Sequence, residues 1–275
     1  MLLFSYDIFI NKITRAISPT VPLIAIMLSA TGCVTTSADG SVEGMTFRTN
    51  APVGAKGYGI QWGGIEQGYP VRRGTQSQRF EVQPGDCGRS DRSSWSDCEN
   101  DRERSERRQI GYQTEGQTRW YGWSIYFPKD YPNIHPTKVA LGQFSEEDSY
   151  RTTFMFQNSF GGYNLEAQTM NDDFQNIPLI TKEALRGKWH DIVVEYKLSN
   201  RINGDGYFRV WVNGELKAEV KGRTTHRNKV YFIYGIYRTK VSKGLGTAQV
   251  VYYDEIRHGN SREDVDIRII EQQLK

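Results

Sequence analysis

Arg104, Glu106 and Arg108 have the spacing of charges that share one face of a strand. They belong to the run Arg104-Ser105-Glu106-Arg107-Arg108, and alternate residues of a strand point to the same side. Two guanidinium groups around a carboxylate can hold one another and still offer N–H forks to an anionic ligand. A solvated ladder of ion pairs on an edge strand would have the same pattern, so both interpretations stay open here.

Two further stretches place polar groups among apolar residues. Gln143 lies near the end of the apolar strand predicted over 138–144, where its amide either meets solvent or points into a cleft. The other stretch is YFIYGIYR, residues 231–238. Alternation divides it into two faces: Tyr231, Ile233, Gly235 and Tyr237 on one, and Phe232, Tyr234, Ile236 and Arg238 on the other. Both faces are bulky, which predicts a central strand covered on both sides.

A glycine in such a strand allows a close approach to the backbone. Tyr237, two residues beyond Gly235 on the same face, would point at the approaching group. Taken alone, the octad is also explained by a well-packed aromatic strand without any ligand.

Taken in this order, the three stretches resemble the polysaccharide lyases of the heparin lyase I, glucuronan lyase and jelly-roll alginate lyase group. In that group an Arg-x-Glu strand, a Gln-x-His strand and a Tyr-Phe-x-x-Gly-x-Tyr strand line a concave sheet. The resemblance covers roughly Thr46 to His258. The framing segments that also resemble the group are Trp120–Pro128, Trp189-His190-Asp191, Val210–Gly214 and Tyr252–Ile256.

The chain departs from the group's pattern at two positions. Ser145 stands where the group has its histidine, and Ile233 stands where alginate lyases often have lysine. His226, eleven residues before Tyr237 in a basic loop, is a candidate substitute for that histidine. A solvated loop histidine is the alternative for His226.

The resemblance implies a β-elimination at a uronic acid. In that reaction a base removes the C5 proton, next to the carboxylate, and the C4 oxygen leaves. Gln143 and Arg104 would neutralise the carboxylate as negative charge develops, and Tyr237 would act first as base and then as acid. The expected substrate-binding residues are Glu106, Arg108, Tyr231, Arg238 and His226.

Tyr237 has an ordinary pKa of about 10, which is high for a base at neutral pH. Arg104, Arg108 or Arg238 is expected to lower it. In glucuronate and mannuronate the C5 proton and the C4 oxygen lie on the same side, so one tyrosine can serve both. The lack of a histidine at Ser145 therefore favours glucuronate-type substrates over iduronate or guluronate.

Composition predicts the fold class. The chain has 16 Tyr, 12 Phe, 6 Trp and 27 Gly among 275 residues, and aromatic residues favour strands. About a dozen strands at intervals of roughly 8–12 residues predict an all-β, two-sheet β-jelly roll, a concanavalin A-like sandwich with a concave substrate cleft. The strands expected, besides residues 231–238, cover 78–82, 120–127, 138–144, 152–157, 163–168, 189–197, 207–212, 215–220 and 248–256. One short helical turn is expected at 180–185, and a short helix is expected at the end of the C-terminal tail.

Four segments make up the expected domain organisation. Residues 1–33 have a charged start, a short apolar stretch and small residues ending in Cys33, which is typical of a bacterial lipoprotein signal. Residues 34–45 form a flexible tether, 46–260 the lyase domain and 261–275 a charged tail. We expect export, lipidation of Cys33, and attachment to the cell envelope, facing the periplasm or on the cell surface. In an exported chain, Cys87 and Cys98 are expected to form a disulfide.

The distribution of charged residues indicates what kind of partner the chain binds. The formal net charge is only +3, with basic clusters at 102–108 and 217–229, so a local anionic ligand is favoured over nucleic acid. The expected partner is an acidic polysaccharide, and the only membrane contact would be the lipid anchor. The expected oligomeric state is a monomer, with no required cofactor and no catalytic metal. A structural calcium ion is an additional possibility, by resemblance to some relatives.

Two other functions fit parts of the sequence. Glu99, Asp101 and Glu103 have the Glu-x-Asp-x-Glu spacing of a glycoside hydrolase strand on the same kind of sandwich. A non-catalytic, lectin-like module would use the aromatic and arginine side chains only to hold an acidic glycan. An unsaturated uronate product, which absorbs ultraviolet light, distinguishes a lyase from both.

Overall fold

The described part of the chain folds into two antiparallel sheets. The computed structural model describes residues 47–49, 56–89, 94–149, 151–168 and 174–275. Cys33, the predicted signal segment and the tether lie outside these residues. No helix in the ranges just given is long and apolar enough to cross a membrane.

Fifteen strands and one α-helix are present in the described residues. The elements are β1 (Phe47–Thr49), β2 (Ile60–Gly63), β3 (Ser77–Val82), β4 (Arg102–Gln109), β5 (Gln113–Thr114), β6 (Thr118–Tyr126), β7 (Lys138–Glu146), β8 (Thr152–Ser159), β9 (Gly162–Gln168), β10 (Phe174–Ile180), β11 (Trp189–Lys197), β12 (Tyr207–Val212), β13 (Glu215–Lys221), β14 (Lys229–Thr239), β15 (Gln249–Gly259) and α1 (Ile267–Gln273). Short 3-10 turns cover Ile65–Gln67 and Val241–Lys243.

The two sheets have eight and seven strands. The first has the order β1-β4-β14-β7-β8-β9-β10, with β5 also paired to β14, and the second has the order β13-β12-β11-β6-β15-β3-β2. The predicted all-β, two-sheet jelly roll is confirmed, and β14, which contains the aromatic octad, is central as expected.

One local prediction is wrong. Residues 180–185 contain no helix; Ile180 ends β10, which pairs with β9 through Ile177 and Leu165. Residues 181–184 form only a single turn, in which the Ala184 N–H donates a hydrogen bond to the Thr181 carbonyl at 3.2 Å. The C-terminal helix is confirmed as α1, with the Asp266 side chain accepting a hydrogen bond from the Arg268 N–H at its start.

The core between the sheets is largely aromatic. Phe232 on β14 lies 5.1 Å, between ring centroids, from Trp123 on β6, and Phe154 stacks on Phe208 at 3.8 Å. Burying each such side chain contributes roughly 1.5–3 kcal/mol. A slip of β14 by one residue would expose Phe232 and its alternate neighbours, so the core fixes the register.

The backbone geometry at position 235 of β14 explains why a glycine is present there. Its φ is +128°, and a Cβ there would lie 2.4 Å from the Ser105 carbonyl oxygen. The pairing of β14 with β7 shifts register between Tyr234 and Tyr237. The close approach predicted at Gly235 is confirmed, and the approaching group is the backbone of β4.

Candidate active site

Tyr237 lies on the face of the eight-stranded sheet that points away from the other sheet, which we call the site face. On β14 it is flanked by Arg104 of β4 and Ala140 of β7. The Arg104 guanidinium lies 4.1 Å from the centroid of the Tyr237 ring, and that of Arg102 lies 5.6 Å from it. Among the described residues, the Tyr237 hydroxyl has no hydrogen-bond partner. It is thus available to a ligand.

The electrostatics of Tyr237 differ from the expectation. Burial raises the pKa of Tyr237 above its ordinary value, Arg104 and Arg102 lower it, and Glu106 and Asp97 raise it. The net direction is upward. The prediction that neighbouring arginines bring this pKa down is therefore wrong for the ligand-free chain, because loss of hydration outweighs the two cations.

Arg104 is held by a buried carboxylate. Its Nε and Nη2 donate hydrogen bonds to the two carboxylate oxygens of Asp97, at 2.7 and 2.5 Å, and its Nη1 lies 3.4 Å from a Glu106 oxygen. Asp97 has no exposed surface. Burial lowers the pKa of Arg104, but the Asp97 hydrogen bonds and the Glu106 charge raise it more, so the guanidinium stays charged.

Gln143 joins the same network from the other side of β14. Its Nε2 donates to Glu106 Oε1 at 2.6 Å, and its Oε1 accepts from the Thr152 hydroxyl at 3.3 Å. Glu106 pairs across β4 and β14 with Gly235. The structure therefore brings together Arg104, Glu106, Gln143 and Tyr237, as the sequence predicted.

Ser145 occupies the place of the group's histidine. It lies opposite Tyr231 on β14, it is 3% exposed, and its hydroxyl is 3.1 Å from that of Thr152. Neither hydroxyl is a base at neutral pH. This position of the network therefore has no group that could take the C5 proton.

His226 does not fill the gap. Its backbone N–H donates to Glu146, and Glu146 pairs with Val230 at the start of β14. Val230 and Tyr237 are seven residues apart, about 23 Å along an extended strand, so His226 lies towards the other end of the sheet. Burial and then Arg151 and Arg223 lower the pKa of His226, while Glu146 raises it.

Arg108 and Tyr231 form a second cluster on the site face. The Arg108 guanidinium lies 3.6 Å from the Tyr231 ring centroid and pairs with Glu147. The Tyr112 hydroxyl donates to Glu147 at 2.8 Å. Arg108 pairs with Ile233, four residues before Tyr237, so this cluster would contact a different part of an extended ligand.

A third cluster on the site face was not predicted. Lys138 Nζ binds both carboxylate oxygens of Glu166, at 2.7 and 2.6 Å, and Gln157 donates to Glu166 at 2.9 Å. Gln157 pairs with Ala140, the neighbour of Tyr237. These residues come from three strands, and only the strand order shows that they meet.

Arg238 lies on the opposite face. It is 2% exposed, it pairs with the Glu103 carboxylate, and its Nη1 donates to the Thr247 carbonyl at 2.6 Å. The expectation that Arg238 binds substrate is wrong, because alternation along β14 turns it away from Tyr237.

The acids proposed for a glycoside hydrolase do not form a site. Glu99 is exposed and pairs with Arg89, and Asp101 has φ +58° and accepts hydrogen bonds from Ser242. Glu103 points inward to its arginine partner. The three carboxylates do not share a strand face, and that prediction is wrong.

The expected disulfide between Cys87 and Cys98 is confirmed. Within the described residues, no group of three or more His, Cys, Asp or Glu side chains is placed to hold a metal ion. A structural calcium ion stays a prediction.

Comparison with known proteins shows the family and the fold of the chain. Residues 49–257, about three quarters of the chain, match a family model described as polysaccharide lyase. The fold is similar to endo-β-1,4-glucuronan lyase from the fungus Trichoderma reesei (TM-score 0.61, 18% identity, 83% of this chain and 96% of that chain). It is also similar to alginate lyase AlgAT5 from polysaccharide lyase family 7 (TM-score 0.51, 16% identity, 70% of this chain and 81% of that chain).

No curated protein sequence matches the chain. At these low identities the two solved structures show a shared fold. The family model extends from β1 to β15 and includes all the strands of the candidate site. The chain therefore belongs to the polysaccharide lyase family.

Proposed function

We propose that this lyase cleaves a uronic acid polymer by β-elimination at Tyr237, and that its substrate is glucuronan-like. The observation that carries the proposal is the Tyr237 hydroxyl, which has no hydrogen-bond partner among the described residues and lies beside the Arg104 guanidinium. Gln143 and Glu106 are hydrogen-bonded to each other and belong to the same polar network as Arg104.

In the first half of the reaction, the deprotonated oxygen of Tyr237 takes the C5 proton. The electron pair of the C–H bond moves towards the carboxylate, which gains negative charge. The amide of Gln143 and the cation of Arg104 stabilise that charge. Arg102, the second guanidinium near the Tyr237 ring, adds positive potential to the same region.

In the second half, the bond from C4 to the glycosidic oxygen breaks. The electron pair released from the C5–H bond forms the C4–C5 double bond, the pair of the broken C4–O bond leaves with the glycosidic oxygen, and that oxygen takes the proton back from Tyr237. The products are a new chain end with a free hydroxyl and an unsaturated uronate. The reaction consumes no water, and the proton that the leaving oxygen receives is the one that Tyr237 removed from C5.

The preference for glucuronate follows from the single proton carrier. Ser145 and Thr152 offer no base, and His226 lies towards the far end of β14. One tyrosine can remove the C5 proton and protonate the C4 oxygen only when both lie on the same side of the sugar, as they do in glucuronate and mannuronate. A structural neighbour is a glucuronan lyase, which supports the choice between these two sugars.

A lectin-like function is the second candidate. It is favoured by one observation, Ser145 in place of the group's histidine. A chain that had lost its catalytic base would keep the arginine clusters of the site face and would still bind an acidic glycan.

We further propose that the chain is an exported monomer anchored through a lipid on Cys33. The sequence around Cys33 supports this, since a charged start and an apolar stretch precede it. Replacement of Cys33 with serine should release the protein from the membrane fraction. Retention of the variant in that fraction would contradict a lipid anchor.

The test measures ultraviolet absorbance of unsaturated uronates with glucuronan, alginate, heparin, heparan and hyaluronan. We expect a rise with glucuronan, and a decrease of about 10²–10⁴-fold in the Tyr237→Phe variant. Tyr252→Phe, on the outer face of the other sheet, is the matched control and should keep full activity. Binding without any rise in absorbance would support the lectin-like function.

A further inference from the structure

Asp97 is a buried acid at the edge of the site. It immediately precedes Cys98 of the disulfide, its backbone N–H donates to the Gly88 carbonyl at 2.8 Å, and it is fully buried. The Trp95 indole N–H donates to one carboxylate oxygen at 2.9 Å. The disulfide loop therefore fixes both the backbone and the side chain of Asp97.

The two oxygens of Asp97 determine where the Arg104 guanidinium lies. A bidentate pair sets the plane of a guanidinium as well as its position. Arg104 uses Nε and Nη2 for this pair, and it lies 4.1 Å from the Tyr237 ring centroid in that orientation. The other carboxylate near Arg104 is Glu106, at 3.4 Å. Without Asp97, the guanidinium would turn towards Glu106.

We propose that Asp97 is a positioning residue for this enzyme: it acts through Arg104, holds the cation against Tyr237, and does not contact the substrate. The proposal rests on the proposed function of Tyr237 as the base. It gives the disulfide loop a role in the reaction, because the loop supplies the carboxylate that orients the site.

Asp97 affects the pKa of Tyr237 in two opposite ways, directly through its own charge and indirectly through Arg104, and this makes the proposal testable. Its own negative charge raises the pKa of Tyr237, and the Arg104 cation lowers it. The other charges near Tyr237 are Arg102 and Glu106 on β4. From β7 and β9, Lys138 and Glu166 face the same surface and neutralise each other.

If Asp97 acted only through its charge, its removal would lower the pKa of Tyr237. If it acts by holding Arg104, its removal would raise that pKa, because a cation within about 4–6 Å shifts a neighbouring group by one unit or more. The direction of the shift therefore separates the two roles.

The experiment compares the pH dependence of kcat/KM for the full chain and three variants. Asp97→Glu keeps the charge and displaces the carboxylate by one methylene, and Asp97→Asn removes the charge. Glu99→Gln is the matched control, since Glu99 is an exposed acid in the same loop and pairs with Arg89. Thermal unfolding of each variant is measured alongside.

We expect both Asp97 variants to shift the ascending limb of the profile upward by about one pH unit. At pH 8 this lowers kcat/KM about tenfold, while Glu99→Gln keeps the wild-type profile. A downward shift in Asp97→Asn, or an unchanged profile in Asp97→Glu, would overturn the proposal. Full activity of Tyr237→Phe would instead refute the proposed function itself, so the two failures are distinguishable.

Discussion

The rate of cleavage should follow the ionisation of Tyr237. A tyrosine must lose its own proton before it can accept another, and an ordinary tyrosine has a pKa of about 10. Burial raises the pKa of Tyr237 further, against the effect of Arg104 and Arg102. Below its pKa, the ionised fraction of a group rises tenfold with each pH unit. We therefore expect kcat/KM to rise about 100-fold between pH 7 and pH 9.

The measurement uses initial rates of ultraviolet absorbance at substrate concentrations well below KM. Under that condition the profile reports the ionisation of the free enzyme. The ionic strength is held constant because arginine clusters on the site face respond to salt. Enzyme incubated at pH 9 and returned to pH 7 must recover its original rate, which excludes irreversible unfolding.

A histidine base would give a different profile. His226 has a pKa below its ordinary value of about 6.5, so a reaction that depended on it would be nearly constant between pH 7 and pH 9. If kcat/KM is constant between pH 7 and pH 9 and the activity is lost in His226→Asn, the assignment of Tyr237 as the base is refuted. A hundredfold rise that is unchanged in His226→Asn would support it.

Two further predictions concern the strand that carries Tyr237. Gly235→Ala should reduce the free energy of unfolding, measured by urea denaturation, by more than about 3 kcal/mol, because strain at positive φ and the contact with Ser105 add. The control Gly74→Ala, at φ +75° with open space around it, should reduce it by only about 1–2 kcal/mol. Equal losses in the two variants would contradict the steric argument. Arg238→Met should cost about 3–5 kcal/mol by leaving Glu103 buried without its cation, and adding Glu103→Gln should restore most of it. A loss below about 1 kcal/mol for the single variant would show that the pair is not important for stability.

Some of the site follows from local pattern. Alternation in residues 104–108 places Arg104 and Glu106 on one side of their strand, and alternation in 231–238 places Tyr231 and Tyr237 on one side of theirs, because a strand has a period of two. The same rule places Arg238 on the opposite side of β14 from Tyr237, and a substrate-binding role for Arg238 therefore conflicts with the alternation itself. Burial against the second sheet enforces the pattern, since one residue of slip would expose the aromatic core.

Other features depend on contacts between distant segments. The two remaining cysteines of a chain expected to be exported predict the disulfide, but nothing in the sequence indicates that Asp97 beside Cys98 binds Arg104. The same holds for Lys138 and Glu166, which are 28 residues apart and meet only because β7, β8 and β9 are neighbours. Contacts of this kind depend on strand order, which a local pattern does not encode.

The sequence by itself determined the all-β class, the strands that carry Arg104, Gln143 and Tyr237, and the residues that share a face within each of those strands. These follow from side-chain type and from the two-residue period of a strand. Only the tertiary structure decided the direction of the Tyr237 pKa and the partner of Arg104. Both depend on how far each group is removed from water and on which charges the fold brings within a few ångströms of it.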